Sequence, residues 1–251
     1  MALMRTANPA LNAKTFENLA QAPGFAETMT LDGTVNKTGI LLLCVILTAG
    51  WTWNLFNRAE NPAEVVPYIL IGAIGGFVVA LVTIFKKAWS PLLAPVYALL
   101  EGLMLGGISA FYEKAFKGIV IQAVLLTLGV TVALLFAYRA RIIQATENFK
   151  LGVFAATGGI ALIYLAGFVM SFFGAGIPYI HESGMIGIGF SLFVVVIAAL
   201  NLVLDFDFIE HGAAHGAPKY MEWYAAFGLM VTLIWLYLEM LRLLSKLRSR
   251  R

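Results

Sequence analysis

Acidic residues are scarce in this chain, 14 in 251, and several of them fall inside apolar sequence, where a carboxylate is costly. The densest group is Asn201-Leu202-Val203-Leu204-Asp205-Phe206-Asp207-Phe208-Ile209-Glu210. Carboxylate and carboxamide oxygens are the ligands that hard cations such as calcium prefer, and carboxyls at membrane depth also carry protons. On a helix, Asn201, Asp205 and Ile209 share one face, whereas Asp207 points roughly 200° from Asp205 at about 100° per residue. The two aspartates therefore cannot address one interior point unless the helix opens between them. Phe206 and Phe208 keep the stretch apolar, so it is no ordinary solvated turn. Its plainer reading is the polar end of a helix at the lipid headgroups. Three more acids belong with it: Glu101 in Tyr97-Ala98-Leu99-Leu100-Glu101-Gly102-Leu103, Glu222 in Lys219-Tyr220-Met221-Glu222-Trp223, and Glu239 in Leu236-Tyr237-Leu238-Glu239. Glu101 is expected to face other helices, either in a functional path or as a neutral carboxyl bonding a neighbour.

Other chemistries find little support. Asp207, His211 and His215 recur every four residues and on a continuous helix could line a transition-metal site. Gly212, Gly216 and Pro218 argue for a loop there instead. His181 and Glu182 fall in another connection, so neither a resident metal nor a cofactor is expected. The single cysteine, Cys44, permits no intrachain disulfide. No phosphate-binding loop, nucleophile elbow or zinc-protease string occurs, and an enzyme is not expected.

The elements that must position these acids are apolar spans. Hydrophobic residues make up 61% of the chain and charged residues 12%, with a mean hydropathy of +0.86. Soluble domains are about half apolar and about a quarter charged, so a soluble enzyme, a disordered regulator and a nucleic-acid-binding domain are excluded. A membrane-crossing helix needs roughly 20 apolar residues. Seven windows qualify: 39–56, 65–85, 92–112, 118–138, 151–173, 184–204 and 223–241. Their lengths fit helices and not barrel strands of about 10 residues, and short connections make successive helices antiparallel neighbours. The expectation is an all-α membrane protein, a seven-transmembrane helix bundle over 37–247, lying in the lipid bilayer. It is preceded by a polar extension, 1–36, and followed by a basic tail, 248–251. The extension carries one short helix around 15–20 and no cleavable signal.

Loop cations set the orientation. One side carries Arg5, Lys14, Lys37, Lys86, Lys87, Arg139, Arg141, Lys150 and Lys219, nine in all, against Arg58, Lys114 and Lys117 on the other. That bias puts the N-terminus in the cytoplasm, although Arg242, Lys246, Arg248, Arg250 and Arg251 pull the C-terminal tail the same way. Small residues mark where helices can approach closely: Gly72 and Gly76, Gly102 and Gly106, Gly158 with Gly159, and the group Gly184, Gly187 and Gly189. Hinges in a gated path are the alternative use of such glycines.

Over roughly 37–247 the chain resembles the Bax inhibitor-1 family of transmembrane Bax inhibitor motif proteins. The resemblance rests on the seven-span layout, on Leu202-Val203-Leu204-Asp205-Phe206, and on Leu236-Tyr237-Leu238-Glu239 followed by Leu241-Arg242-Leu243-Leu244. It looks most like a bacterial branch with a longer N-terminal extension, which implies the bacterial inner (plasma) membrane. It also implies a pH-sensitive calcium leak, in which acids of the sixth and seventh helices share a proton and couple it to opening of a path. Asp205 matches the sixth-helix acid. The motif string points to Glu239 as its partner, with Glu in place of the usual Asp. Depth points elsewhere: with a turn near Ala214, Glu239 would stand about 24 Å from Asp205 in height, level with Gly187 and Gly189, whereas Glu222 would be level with Asp205. For the basic latch that the family carries near its second helix, the sequence offers only Lys86 and Lys87.

Two functions follow as expectations. One is a cation leak, with Asp205, Glu222, Asp207 and Glu239 sensing protons and with Glu101 and Asn201 lining the ion pathway. The other is a scaffold without transport, whose N-terminal extension binds a membrane protease or another membrane protein. A secondary transporter ranks third, because no inverted repeat is evident. The topology can be tested with single cysteines placed at Thr6 and at Ser183. They should be labelled from opposite sides of the membrane, and labelling of both from one side would overturn the seven-span arrangement.

Overall fold

The computed structural model describes residues 27–174 and 184–250. The short helix expected at 15–20 and the connection holding His181 and Glu182 lie outside these residues. Among the described residues seven α-helices follow in order: α1 (Leu31–Arg58), α2 (Val66–Phe85), α3 (Ser90–Ala115), α4 (Ile119–Arg139), α5 (Glu147–Ser171), α6 (Met185–Ala214) and α7 (Met221–Ser249). Short 3-10 turns, Pro62–Val65 and Lys87–Trp89, lead into α2 and α3. All seven helical segments are long and apolar enough to cross a membrane. No strand occurs among the described residues. The nearest approach to one is an isolated antiparallel bridge between Thr28 and Pro218.

Several helices outrun the apolar windows, and two of them begin at capping side chains. Thr30 caps α1 by accepting from the Gly33 amide, and Thr146 caps α5 by accepting from the Phe149 amide. The largest departure is α6, which continues through His211 and Gly212 where a loop was expected. Its end is set four residues later by Gly216, whose φ of 63° is the left-handed conformation that glycine adopts freely. The Gly216 amide then bonds the Ala213 carbonyl and the Ala217 amide bonds the Gly212 carbonyl, which closes the helix in a Schellman motif. A glycine one turn before the cap is tolerated because the backbone around it keeps its hydrogen bonds.

The chain forms two compact units. One contains α1, α2 and α3 with the end of α6 from Phe208 and the start of α7 up to Val231; the other contains α4 and α5 with the rest of α6 and α7. In the α1–α3 unit, glycines let α3 lie directly on both neighbours. A side chain at Gly102 would strike Val45 and Thr48 of α1, and one at Gly106 would strike the Ala49 backbone. On the other side, a Cβ at Gly72 would come 2.7 Å from the Met104 nitrogen. Phe56, Val65 and Ala110 fill the space beside this seam, with Phe56 and Phe111 edge to face at 4.8 Å.

In the α4–α5 unit the packing is between larger side chains: Val153 on Leu204, and Ile160 on Val194 and Ile197 with Tyr164, Phe190 and Trp235 around them. Gly158, Gly159, Gly184 and Gly189 have nothing within 4 Å of where a Cβ would stand, so the close approach expected of them is not made. Large apolar side chains such as Leu47, Phe77, Leu125 and Phe136 are exposed, as suits helices surrounded by lipid.

The two kinds of glycine give a direct test. Gly106→Ala should destabilise the detergent-solubilised protein by about 1–3 kcal/mol through overpacking against α1. Gly129→Ala, which meets nothing within 4 Å, should leave the thermal midpoint unchanged. Equal midpoints for the two variants would refute the glycine seam.

Candidate functional site

Five carboxyls in membrane-spanning helices are no more than 7% exposed: Glu101, Asp205, Asp207, Glu222 and Glu239. Burial of a carboxylate demands a compensating cation or hydrogen-bond donors, and for Asp207, Glu222 and Glu239 groups outside their own helix contribute them.

Glu222 stands in the first turn of α7, where the helix dipole favours an acid. Its Oε1 accepts from the Thr30 amide at 2.9 Å and from the Thr30 hydroxyl at 2.8 Å. The Lys37 ammonium donates to Oε2, and Lys219 Nζ lies 3.3 Å from Oε1. Gly33 makes room for this arrangement, since any side chain there would run into the Glu222 carboxylate. The Met29 amide bonds the Ala217 carbonyl at 2.7 Å, and Glu27 sits 3.8 Å from Lys219. The start of α1 is thus clasped to the turn before α7, with Glu222 at the centre. In the same unit, Glu101 is hydrogen-bonded to Tyr97, one turn earlier on α3. It faces α2 at Gly76, where a Cβ would stand 2.6 Å from Oε1.

In the α4–α5 unit, α6 does not open between its two aspartates. The helix is continuous and buried on every side from 201 to 209, so Asp205 and Asp207 are both enclosed while pointing in different directions. Asp207 meets Lys150 of α5, Nζ to Oδ2 at 2.8 Å, and the Tyr138 hydroxyl of α4 donates to its Oδ1 at 3.4 Å. Asn201 donates to Thr157 Oγ1 at 2.9 Å and to the Ile197 carbonyl at 2.8 Å, which ties α6 to α5.

Glu239 belongs to a third arrangement. Its Oε1 accepts from the Tyr164 hydroxyl at 2.9 Å and from Arg242 Nη1 at 2.7 Å, and Arg242 also donates to the Tyr164 oxygen at 2.6 Å. Its Oε2 is buried without a hydrogen-bond partner among the described residues. Farther along α7, the buried Lys246 donates to the Gly187 carbonyl at 3.0 Å and to Ser191 Oγ at 2.9 Å. It is therefore Lys246 that is level with Gly187. Glu239, seven residues earlier, lies deeper beside α6, about 10–17 Å from Asp205 along the helix axis. The separation is smaller than the expected 24 Å because α6 runs on before it turns.

Among the described residues no three acids, histidines or cysteines lie close enough to hold one metal ion. His211 and His215 stack at 6.2 Å, with His215 Nδ1 bonded to the His211 carbonyl. Sequence reasoning missed the cations. Lys37 and Lys150 counted as loop charges, yet both stand within helices; the signal was there for Lys150, which lies three residues before the buried Val153. Of the two lysines considered for a latch, Lys87 lies over the Tyr224 ring at 5.7 Å.

No curated protein matches the chain, and no solved structure does. A family model described as Bax inhibitor 1 like matches residues 8–249, which spans all seven helices and both units. The chain belongs to the Bax inhibitor-1-like family and is a multi-pass membrane protein.

Proposed function

We propose that the protein is a cation leak, calcium foremost, whose rate is set by protonation of its buried carboxylates, and that it lies in a bacterial inner membrane with the N-terminus in the cytoplasm. The observation that carries this reading is the clasp at Glu222. One buried carboxylate holds Thr30, Lys37 and Lys219, and with them the start of α1. Adding a proton to Glu222 abolishes its attraction for both ammoniums and leaves Lys37, itself mostly buried, without a counter-charge. The clasp therefore loosens in acid, and the leak rises as the pH falls. A proton needs only a preference of a few kcal/mol for one conformation to act in this way. Asp207 with Lys150 and Glu239 with Arg242 are further pairs open to the same loss of charge. Glu101 and Asn201 supply oxygens suited to a hard cation in passage.

The test is calcium flux into liposomes that contain only this protein, measured as the pH is stepped from neutral to acid. Wild-type flux should rise. Asp205→Asn and Glu222→Gln should each flatten the profile, and Glu239→Gln should change it less. A profile that depends on Glu239 and ignores Glu222 would overturn the role given to the clasp, and no flux at any pH would overturn the leak itself. A truncation that probes the polar extension must end at residue 26, because removal through Thr34 also deletes the α1 cap and the Glu222 donors. Flux should survive that shorter truncation. Loss of a bound membrane protein on truncation, in a chain that conducts nothing, would favour the scaffold.

A further inference from the structure

At one end of the α1–α3 unit, lysines and aromatic rings alternate in space. Lys37 Nζ lies 5.6 Å from the centre of the Trp223 ring and Lys87 Nζ lies 5.7 Å from that of Tyr224. Ser90 donates to the Tyr220 carbonyl at 3.0 Å, which fixes the α2–α3 turn against the α6–α7 turn. Tryptophan and tyrosine settle at the headgroup level of a bilayer, and lysines there meet lipid phosphates. The end of the unit is thus its membrane boundary.

At that boundary the α2–α3 turn reads Lys86-Lys87-Ala88-Trp89-Ser90-Pro91-Leu92, two cations and no acid. Ala88, Trp89, Pro91 and Leu92 line an open apolar groove of about 390 Å³, with Trp89 and Leu92 59% and 71% exposed. Lys86 is exposed immediately beside it. An apolar groove beneath paired ammoniums suits a molecule that is hydrocarbon below and negative above. A zwitterionic lipid would bring its own cation against the two lysines, whereas a lipid of net negative charge would not.

We propose that this turn is a binding site for one anionic phospholipid, its phosphate held by Lys86 and Lys87 and the upper part of an acyl chain lying along Trp89, Pro91 and Leu92. The site is independent of the carboxylates assigned to the leak. It is a basic, apolar-lined groove at the start of α3, in a turn that the Ser90–Tyr220 hydrogen bond ties to the residues before α7.

The experiment uses the full chain in nanodiscs of phosphatidylcholine containing the same small fraction of acyl-brominated phosphatidylglycerol or acyl-brominated phosphatidylcholine. Bromine quenches adjacent tryptophan, and the Trp89 signal is the difference between wild type and Trp89→Phe. The brominated anionic lipid should occupy the groove with a preference of roughly 30-fold over the zwitterionic one, the attraction expected of two lysines at a membrane surface. In a double variant, Lys86→Gln with Lys87→Gln, the preference should fall to near parity while helix content by circular dichroism is unchanged. Equal quenching of wild-type Trp89 by the two lipids would overturn the site. So would a preference that survives loss of both lysines.

Discussion

A charge removed from water inside an apolar helix bundle requires a partner within hydrogen-bond reach, and much of this structure follows from that requirement. Removing one member of a buried pair typically costs about 3–5 kcal/mol, because the other is left uncompensated. Glu222, Asp207 and Glu239 each meet it differently: with a lysine of α1, a lysine of α5, and an arginine one turn along the same helix. In the first two cases the pair also fixes where a helix lies. Lys37 and Thr30 hold the start of α1, and Lys150 with Tyr138 brings α5 and α4 to α6. The buried acids Glu222 and Asp207 are thus also groups that fasten helices to one another.

The glycine seam serves the same arrangement. Glu101 can be buried on α3 because Gly76 leaves room for its carboxyl, and α3 can lie close to α1 because Gly102 and Gly106 have no side chains. Packing by small residues is the usual means of association in lipid, where apolar surface gains nothing from leaving its solvent. The α4–α5 unit relies instead on interlocked Ile, Val and aromatic side chains. Glycines there, such as Gly158 and Gly159, face open space.

Sequence alone revealed the spans, because a run of some 20 apolar residues matches the thickness of a bilayer and outruns most helices of a soluble core. It revealed the acids for the same reason: a carboxyl stands out in such a run. It did not reveal their partners. Lys37 and Lys150 lie near the ends of their apolar windows and read as topology signals, and nothing local to Lys37 points to a glutamate 185 residues away. The continuation of α6 through Gly212 was hidden too, since a glycine near two histidines and a proline resembles a loop. What made it a helix was a cap four residues on, at Gly216. Depth arithmetic for Glu239 inherited that error in the turn's position.

The distance in sequence between Lys37 and Glu222 has a consequence for biogenesis. Lys37 enters the membrane with the first helix, but its carboxylate is encoded 185 residues later. At about 5–20 residues per second on the ribosome, some 10–40 seconds separate the two. Through that interval the nascent first helix carries an ammonium without its counter-charge, and Gly33 presents a notch with nothing in it. The clasp therefore cannot form when α1 to α3 alone have been made. It forms when α7 begins, so that the seventh of the described helices completes the clasp on α1.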